Sequence, residues 1–137
     1  MGPGWLKHYV GLPFEERGRG AQGFDCWGLI RAIYEKQLNI ELPSYAEDYR
    51  TTTDEQEIGA LVRQESASSW KEVSLEEARL GDVLVIRMRN MPMHCALIVE
   101  RPWFLHIERG INSVLERCDS VKWAKRIVAV YRYQGAA

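Results

Sequence analysis

The sequence predicts an α+β domain, with helices first and an antiparallel sheet second. Apolar residues fall at helical spacing through the first part of the chain. From Gly81 the period switches to short runs rich in β-branched and aromatic residues. Those runs are separated by gaps of hairpin length, which join antiparallel neighbours. A length of 137 residues fits one domain, residues 1–137, around one core.

The elements follow in order. Trp5, Leu6, Tyr9 and Val10 give a short helical pattern that Gly11 and Pro13 end. "EERGRGAQG" reads as a loop. A helix starts at about Asp25, which caps it, and Leu29, Ile30, Ile33 and Tyr34 form its apolar stripe. It frays near Asn39. Residues 44–75 are polar and acidic, with a helix expected over "TDEQEIGALVRQE" behind a Thr53 or Asp54 cap. Whether this region is a lid or a surface helix stays open. Ser74 and Glu77 form a capping box for a short turn. "DVLVIRM", "MHCALIVE", "WFLHIE", "SVLERCD" and "RIVAVYRY" are the strands, with "RNMP", "ERPW" and "RGIN" as turns.

Composition narrows the function. Hydrophobic residues make up 46% and charged residues 27%, an ordinary globular balance. A net charge of -1 gives no electrostatic case for nucleic acid or an acidic membrane. The small basic clusters, Arg17 with Arg19 and Lys122 with Lys125 and Arg126, read as solvated faces. No apolar run is long enough to span a bilayer. The N-terminus lacks the pattern of a secretory signal, so synthesis in the cytoplasm without a signal peptide is expected. Three cysteines with no CxxC spacing read as reduced thiols.

The chemistry centres on "GFDCWGLIRAIYEK", residues 23–36. Cys26 lies where a helix begins, and unpaired N–H groups and the helix dipole there favour a thiolate, which is expected to lower the thiol pKa. Gly23 and Gly28 allow another backbone or a substrate to come close. A nucleophile also needs a base and a group to orient that base. His94 and His106 lie on consecutive strands and can sit side by side on one sheet face. That histidine face is expected to pack against the start of the Cys26 helix. The alternatives are a buried core cysteine, half-buried strand histidines, or a zinc site drawn from Cys26, His94, Cys95, His106 and Cys118. Strand alternation sends His94 and Cys95 to opposite faces and argues against the zinc site. Cys95 is expected in the core with Leu97 and Val99, and His8 on the surface.

"GFDCWGLI" resembles the nucleophile motif of the NlpC/P60 cysteine peptidases, usually Asp-Cys-Ser-Gly and an apolar pair. "LGDVLVI", "MHCALIVE" and "FLHIE" resemble that family's Gly-Asp strand, its base-bearing strand and the strand of its third polar residue. The likeness spans about Tyr9 to Tyr133. It implies a papain-like fold, with the nucleophile helix packed on a C-terminal antiparallel sheet. It implies hydrolysis of peptidoglycan stem peptides, at the bond between D-γ-glutamate and a diamino acid. Cys26 would be the nucleophile, His94 the base and His106 its orienter, with no metal or other cofactor. Asp25 would cap the helix, contact a substrate amine, or both. Two positions depart from the family: Trp27 replaces the serine after the cysteine, and Phe14 replaces a tyrosine upstream. With Phe14 lacking a hydroxyl, Tyr9 is the candidate to supply one to the substrate.

The Trp27 variant resembles members of the family in bacteriophage tails, which implies other tail proteins as partners. A cytoplasmic enzyme recycling wall peptides fits the same residues. The rival readings are a weakly active or inactive tail-tip protein with Trp27 filling the pocket, and an amidase or acyltransferase using the same Cys–His site. Five tryptophans, including Trp5, Trp70, Trp103 and Trp123, offer aromatic surface to another subunit under the tail-tip reading.

Overall fold

The computed structural model describes residues 2–20, 22–42, 70–88 and 94–134. The helix expected over residues 53–65 and the turn "RNMP" lie outside them. Among the described residues one α-helix, α1 (Cys26–Gln37), packs on a six-stranded antiparallel sheet, as expected for an α+β domain. The strands are β1 (Trp70–Val73), β2 (Val83–Ile86), β3 (His94–Glu100), β4 (Trp103–Glu108), β5 (Ile111–Arg117) and β6 (Ile127–Tyr133). Their order across the sheet is β1-β6-β2-β3-β4-β5. No described helix is long and apolar enough to cross a membrane.

The first segment, Gly4–His8, is a 3-10 helix with Leu6 buried. α1 starts at its Asp25 cap and buries Leu29, Ile30, Ile33 and Tyr34, the stripe read from the sequence. It ends where Asn39 takes a left-handed conformation at φ 59°, tolerated there because Asn bears that region best among residues with a Cβ. Ser74 caps the 3-10 turn Leu75–Glu77, and its hydroxyl bonds Glu77 in return. β1 is the strand that sequence reading missed. Only Trp70 of its four residues is fully buried, and so short an edge strand shows too little alternation to stand out from polar sequence.

The middle of the sheet, β2 to β4, is buried on both faces, which is why β2 and most of β3 read as unbroken apolar runs. One face carries Cys95, Leu97, Val99, Leu105 and Ile107 under α1. The other carries Leu84, Ile86, Ala96, Ile98 and Phe104, covered by Trp123. Antiparallel register sets Leu97 against Leu105 and Ile98 against Phe104, so each face is built from matched residues of both strands.

Candidate active site

The start of α1 is built by the loop before it. The Asp25 carboxylate accepts from the Gly28 N–H at 2.7 Å and from Arg19 Nη1 at 2.9 Å. Arg19 also donates to the Gly18 carbonyl. Arg19 is therefore an interior clamp rather than part of a solvated face, a role its place in a glycine-rich loop concealed. Gly28 matters because the Gly18 carbonyl oxygen lies where its Cβ would be. The close approach expected at Gly28 is thus made by backbone.

Cys26 is the first residue of α1 and is buried. It packs in one core cluster with Cys95 of β3, and interaction with that thiol is the main cause of a pKa well above the usual thiol value. Burial and the negative charge of Asp25 push the same way. The expectation of a lowered pKa is thereby overturned. The helix start favours an anion, but Asp25 already occupies it, and a second negative charge would be buried beside the first.

His94 and His106 meet as expected. The register makes them diagonal neighbours on one face, with His94 Nε2 3.0 Å from His106 Nδ1. Both are buried. Burial first, and then the neighbouring His106, push His94 down to about 3. His106 is also lowered by burial, with Lys122 adding to the fall, while its bond to Glu116 and the charges of Glu116 and Glu108 resist. The pair does not face α1. By alternation it shares the face of Ala96, Ile98 and Phe104, and it is Cys95 that meets the helix. The His94 Nδ1 atom is buried and has no hydrogen-bond partner among the described residues. The expected side-by-side histidines are there, but the thiol's present partner is the residue next to His94.

Beyond His106 the chain of bonds continues through residues that sequence reading did not single out. His106 Nε2 lies 2.7 Å from Glu116 Oε2, and Trp123 Nε1 donates to Glu116 Oε1 at 2.9 Å. Burial pushes the Glu116 carboxyl up, but the bonds from Trp123 and His106 outweigh it and hold it below its ordinary value. The "SVLERCD" alternation was the available signal, since Glu116 lies two residues along β5 from Val114, the partner of His106. His94, His106 and Glu108 have ligand atoms within 4.8 Å of one another. A divalent cation there would have to displace the hydrogen bond between the two imidazoles. Cys95 is in the core with Leu97 and Val99.

Three expected substrate contacts are placed otherwise. Trp27 is buried against Trp70, ring centroids 6.3 Å apart, in a cluster with Tyr34 and Tyr133. It is a core residue and so offers no surface to a subunit; Trp70 and Trp123 are buried too. Tyr9 is buried, and its hydroxyl accepts from Gln37 Nε2 at 3.0 Å. Gln37 ends α1, roughly 16 Å along the axis from Cys26 at 1.5 Å per residue, too far to serve that thiol. Phe14 bridges to Phe24 by backbone and packs on the core beneath α1.

The model of the NlpC/P60 family matches residues 11–132. Murein DD-endopeptidase MepS/Murein LD-carboxypeptidase of Escherichia coli (strain K12) is 24% identical over 118 residues, 86% of this chain and 54% of that protein. This chain thus spans about half the length of that curated relative. Among solved structures, a protein described as similar to lipoprotein, NLP/P60 family, from Staphylococcus aureus superposes with a TM-score of 0.65 at 25% identity, over 94% of this chain and 39% of that one. The NlpC/p60 domain of the peptidoglycan hydrolase SagA superposes with a TM-score of 0.61 at 21% identity, over 92% of this chain and 91% of that one.

Proposed function

The chain belongs to the NlpC/P60 family, and from that premise we propose that it is a cysteine peptidase acting on peptidoglycan stem peptides. The observation that carries this reading is the bonded pair His94–His106, with a bare, buried Nδ1 on His94, next in chain to the residue that interacts with the Cys26 thiol. In papain-like chemistry one imidazole nitrogen takes the thiol proton and the other is held by an orienting group.

The reaction requires the start of β3 to rearrange so that His94 Nδ1 reaches the face of α1, where the Cys26 side chain leaves Cys95 and presents its S–H to it. The proton moves to that nitrogen and the sulfur attacks the amide carbonyl. Asp25 takes the Gly28 N–H, so the oxyanion donor would be the Cys26 N–H, and one such donor is worth about 3 kcal/mol. His94 returns its proton to the leaving amine, giving a thioester. Water, deprotonated by His94, then releases the acid and the thiol.

The bond proposed is the one between D-γ-glutamate and the diamino acid. The named activities of the Escherichia coli relative lie at other peptide bonds, so the test must sample all of them. Delivery in a phage tail after cytoplasmic synthesis belongs to the proposal and is supported only by the Trp27 variant of the motif. The deciding experiment is digestion of purified peptidoglycan and soluble stem peptides, read by mass spectrometry, with Cys26→Ala in parallel. A cut made by the wild type and lost in the variant supports the reading. No cut at any stem-peptide bond overturns it.

A further inference from the structure

We propose that Glu116 is a positioning residue of the catalytic apparatus: held by Trp123, it fixes the tautomers of His106 and His94 so that the lone pair of the base lies on His94 Nδ1. This inference rests on the cysteine-peptidase reading above and adds a fourth residue to it.

The protons along the chain can be placed one after another. An ionised carboxylate only accepts, so His106 Nε2, 2.7 Å from Glu116 Oε2, must carry a hydrogen. A neutral His106 then has a bare Nδ1. That atom lies 3.0 Å from His94 Nε2, so His94 must donate from Nε2. A neutral His94 is left with its lone pair on Nδ1, the one nitrogen of the four without a partner among the described residues. The opposite arrangement would set two lone pairs against each other at 2.7 Å. Glu116 Oε1 meanwhile accepts from the Trp123 indole at 2.9 Å, which fixes the carboxylate's rotation. Among the described residues, three other charged or titratable groups face His106. Glu108 Oε2 is 3.9 Å from Nδ1, too far for a hydrogen bond. Lys122 sits over the Trp123 ring at 4.7 Å and acts on His106 by charge alone. His94 is the partner already counted. Among the described residues, only Glu116 can set the tautomer.

The register explains why β5 supplies this group. His106 pairs with Val114, and Glu116 is the next residue of β5 on the same face. When His94 accepts the thiol proton it becomes a cation in a buried setting. The Glu116 carboxylate, reached through His106, is then the counter-charge nearest to it along the hydrogen-bond chain.

The test is Glu116→Gln in the full chain. Glutamine offers one oxygen and one amide group to two N–H donors. Trp123 can only donate, so it takes the oxygen and the amide NH₂ faces His106 Nε2. Both imidazoles must then turn to the Nδ1–H tautomer, which blocks the base. Side-chain ¹⁵N spectra of the histidines at pH 7.5 read this directly, in the wild type and the variant. Expected are Nε2–H signals for His94 and His106 in the wild type and a shift to Nδ1–H in Glu116→Gln. With it, kcat on a stem peptide should fall about 10- to 100-fold, at a KM changed less than about twofold. Glu116→Asp should restore the wild-type tautomers. A wild type with His106 protonated at Nδ1, or a folded Glu116→Gln with unchanged tautomers, overturns the proposal. Absent hydrolysis by the wild type would strike the peptidase reading instead, because the spectra need no substrate.

Discussion

Cys26 packs in one core cluster with Cys95, the chain neighbour of His94, and so the nucleophile rests against the strand that carries its base. Interaction with Cys95, burial and nearby negative charge all favour the protonated thiol. His94, held near 3, is neutral at pH 7. The resting site is therefore a neutral thiol and a neutral imidazole, not a thiolate–imidazolium pair.

A reactivity profile follows from this state. The thiolate fraction should climb about tenfold per pH unit from pH 6 to pH 9, and the alkylation rate of Cys26 with it. Fast reaction at pH 6, natural for a preformed ion pair, is not expected. Cys95→Ala removes the largest cause of the raised value, so its Cys26 should alkylate severalfold faster than the wild type at pH 7. A rate already flat from pH 6 upward would contradict the neutral resting site.

Acid should unfold the protein through its histidines. His94 has its folded value near 3 and an ordinary value near 6.5. Between these the unfolded chain binds a proton that the folded chain excludes, so stability falls as pH falls through that window. His94 alone costs up to about 1.4 kcal/mol for each pH unit below 6.5, and His106 acts in the same direction. Urea unfolding at pH 7 and pH 5 measures the slope, and His94→Gln should flatten it. An unchanged slope in that variant would mean His94 is not buried neutral.

Much of this arrangement was legible in the chain, for identifiable reasons. Alternation along "MHCALIVE" and "WFLHIE" sufficed to set His94 beside His106 and to send Cys95 into the core, because period-2 geometry is rigid. The Asp25 cap and the Ser74–Glu77 box were legible because capping is local. Which sheet face α1 would cover was not, because both faces are apolar and the strands carry no polar side to mark solvent. The Cys26 pKa went the wrong way for a related reason. Local sequence shows the helix start and its Asp25 cap, but not that Cys95 arrives from 69 residues away. Trp27 and Tyr9 were read as site residues from their place near the motif, whereas their rings answer to packing partners distant in sequence.

Asp25 joins two roles, helix cap and partner of Arg19, and substitutions separate them. Asp25→Asn keeps an acceptor for the Gly28 N–H and loses the charge facing Arg19. Asp25→Ala loses both. A lost cap costs about 1 kcal/mol. Removing the partner of a mostly buried guanidinium adds about 1–3 kcal/mol. Thermal unfolding should therefore rank wild type above Asp25→Asn above Asp25→Ala. Equal stability of the two variants would show that the Arg19 ion pair contributes most of the effect and the cap little.

Gly28→Ala sets helix propensity against contact. In an exposed helix interior the change would stabilise by about 1 kcal/mol. Here the new methyl would overlap the Gly18 carbonyl oxygen, a backbone atom that cannot rotate away. The loop from Gly18 would have to move, and with it Arg19, which bonds both that carbonyl and Asp25. Overpacking of this kind costs typically about 1–3 kcal/mol and exceeds the propensity gain. The variant should melt lower than the wild type and alkylate at Cys26 with an altered rate, because Asp25 and the start of α1 move together. Gly4→Ala, where a Cβ meets open space, is the control and should leave both measurements unchanged. A Gly28→Ala protein as stable as the wild type would show that the Gly18 loop yields without strain, and that the clamp on the start of α1 is looser than its hydrogen bonds imply.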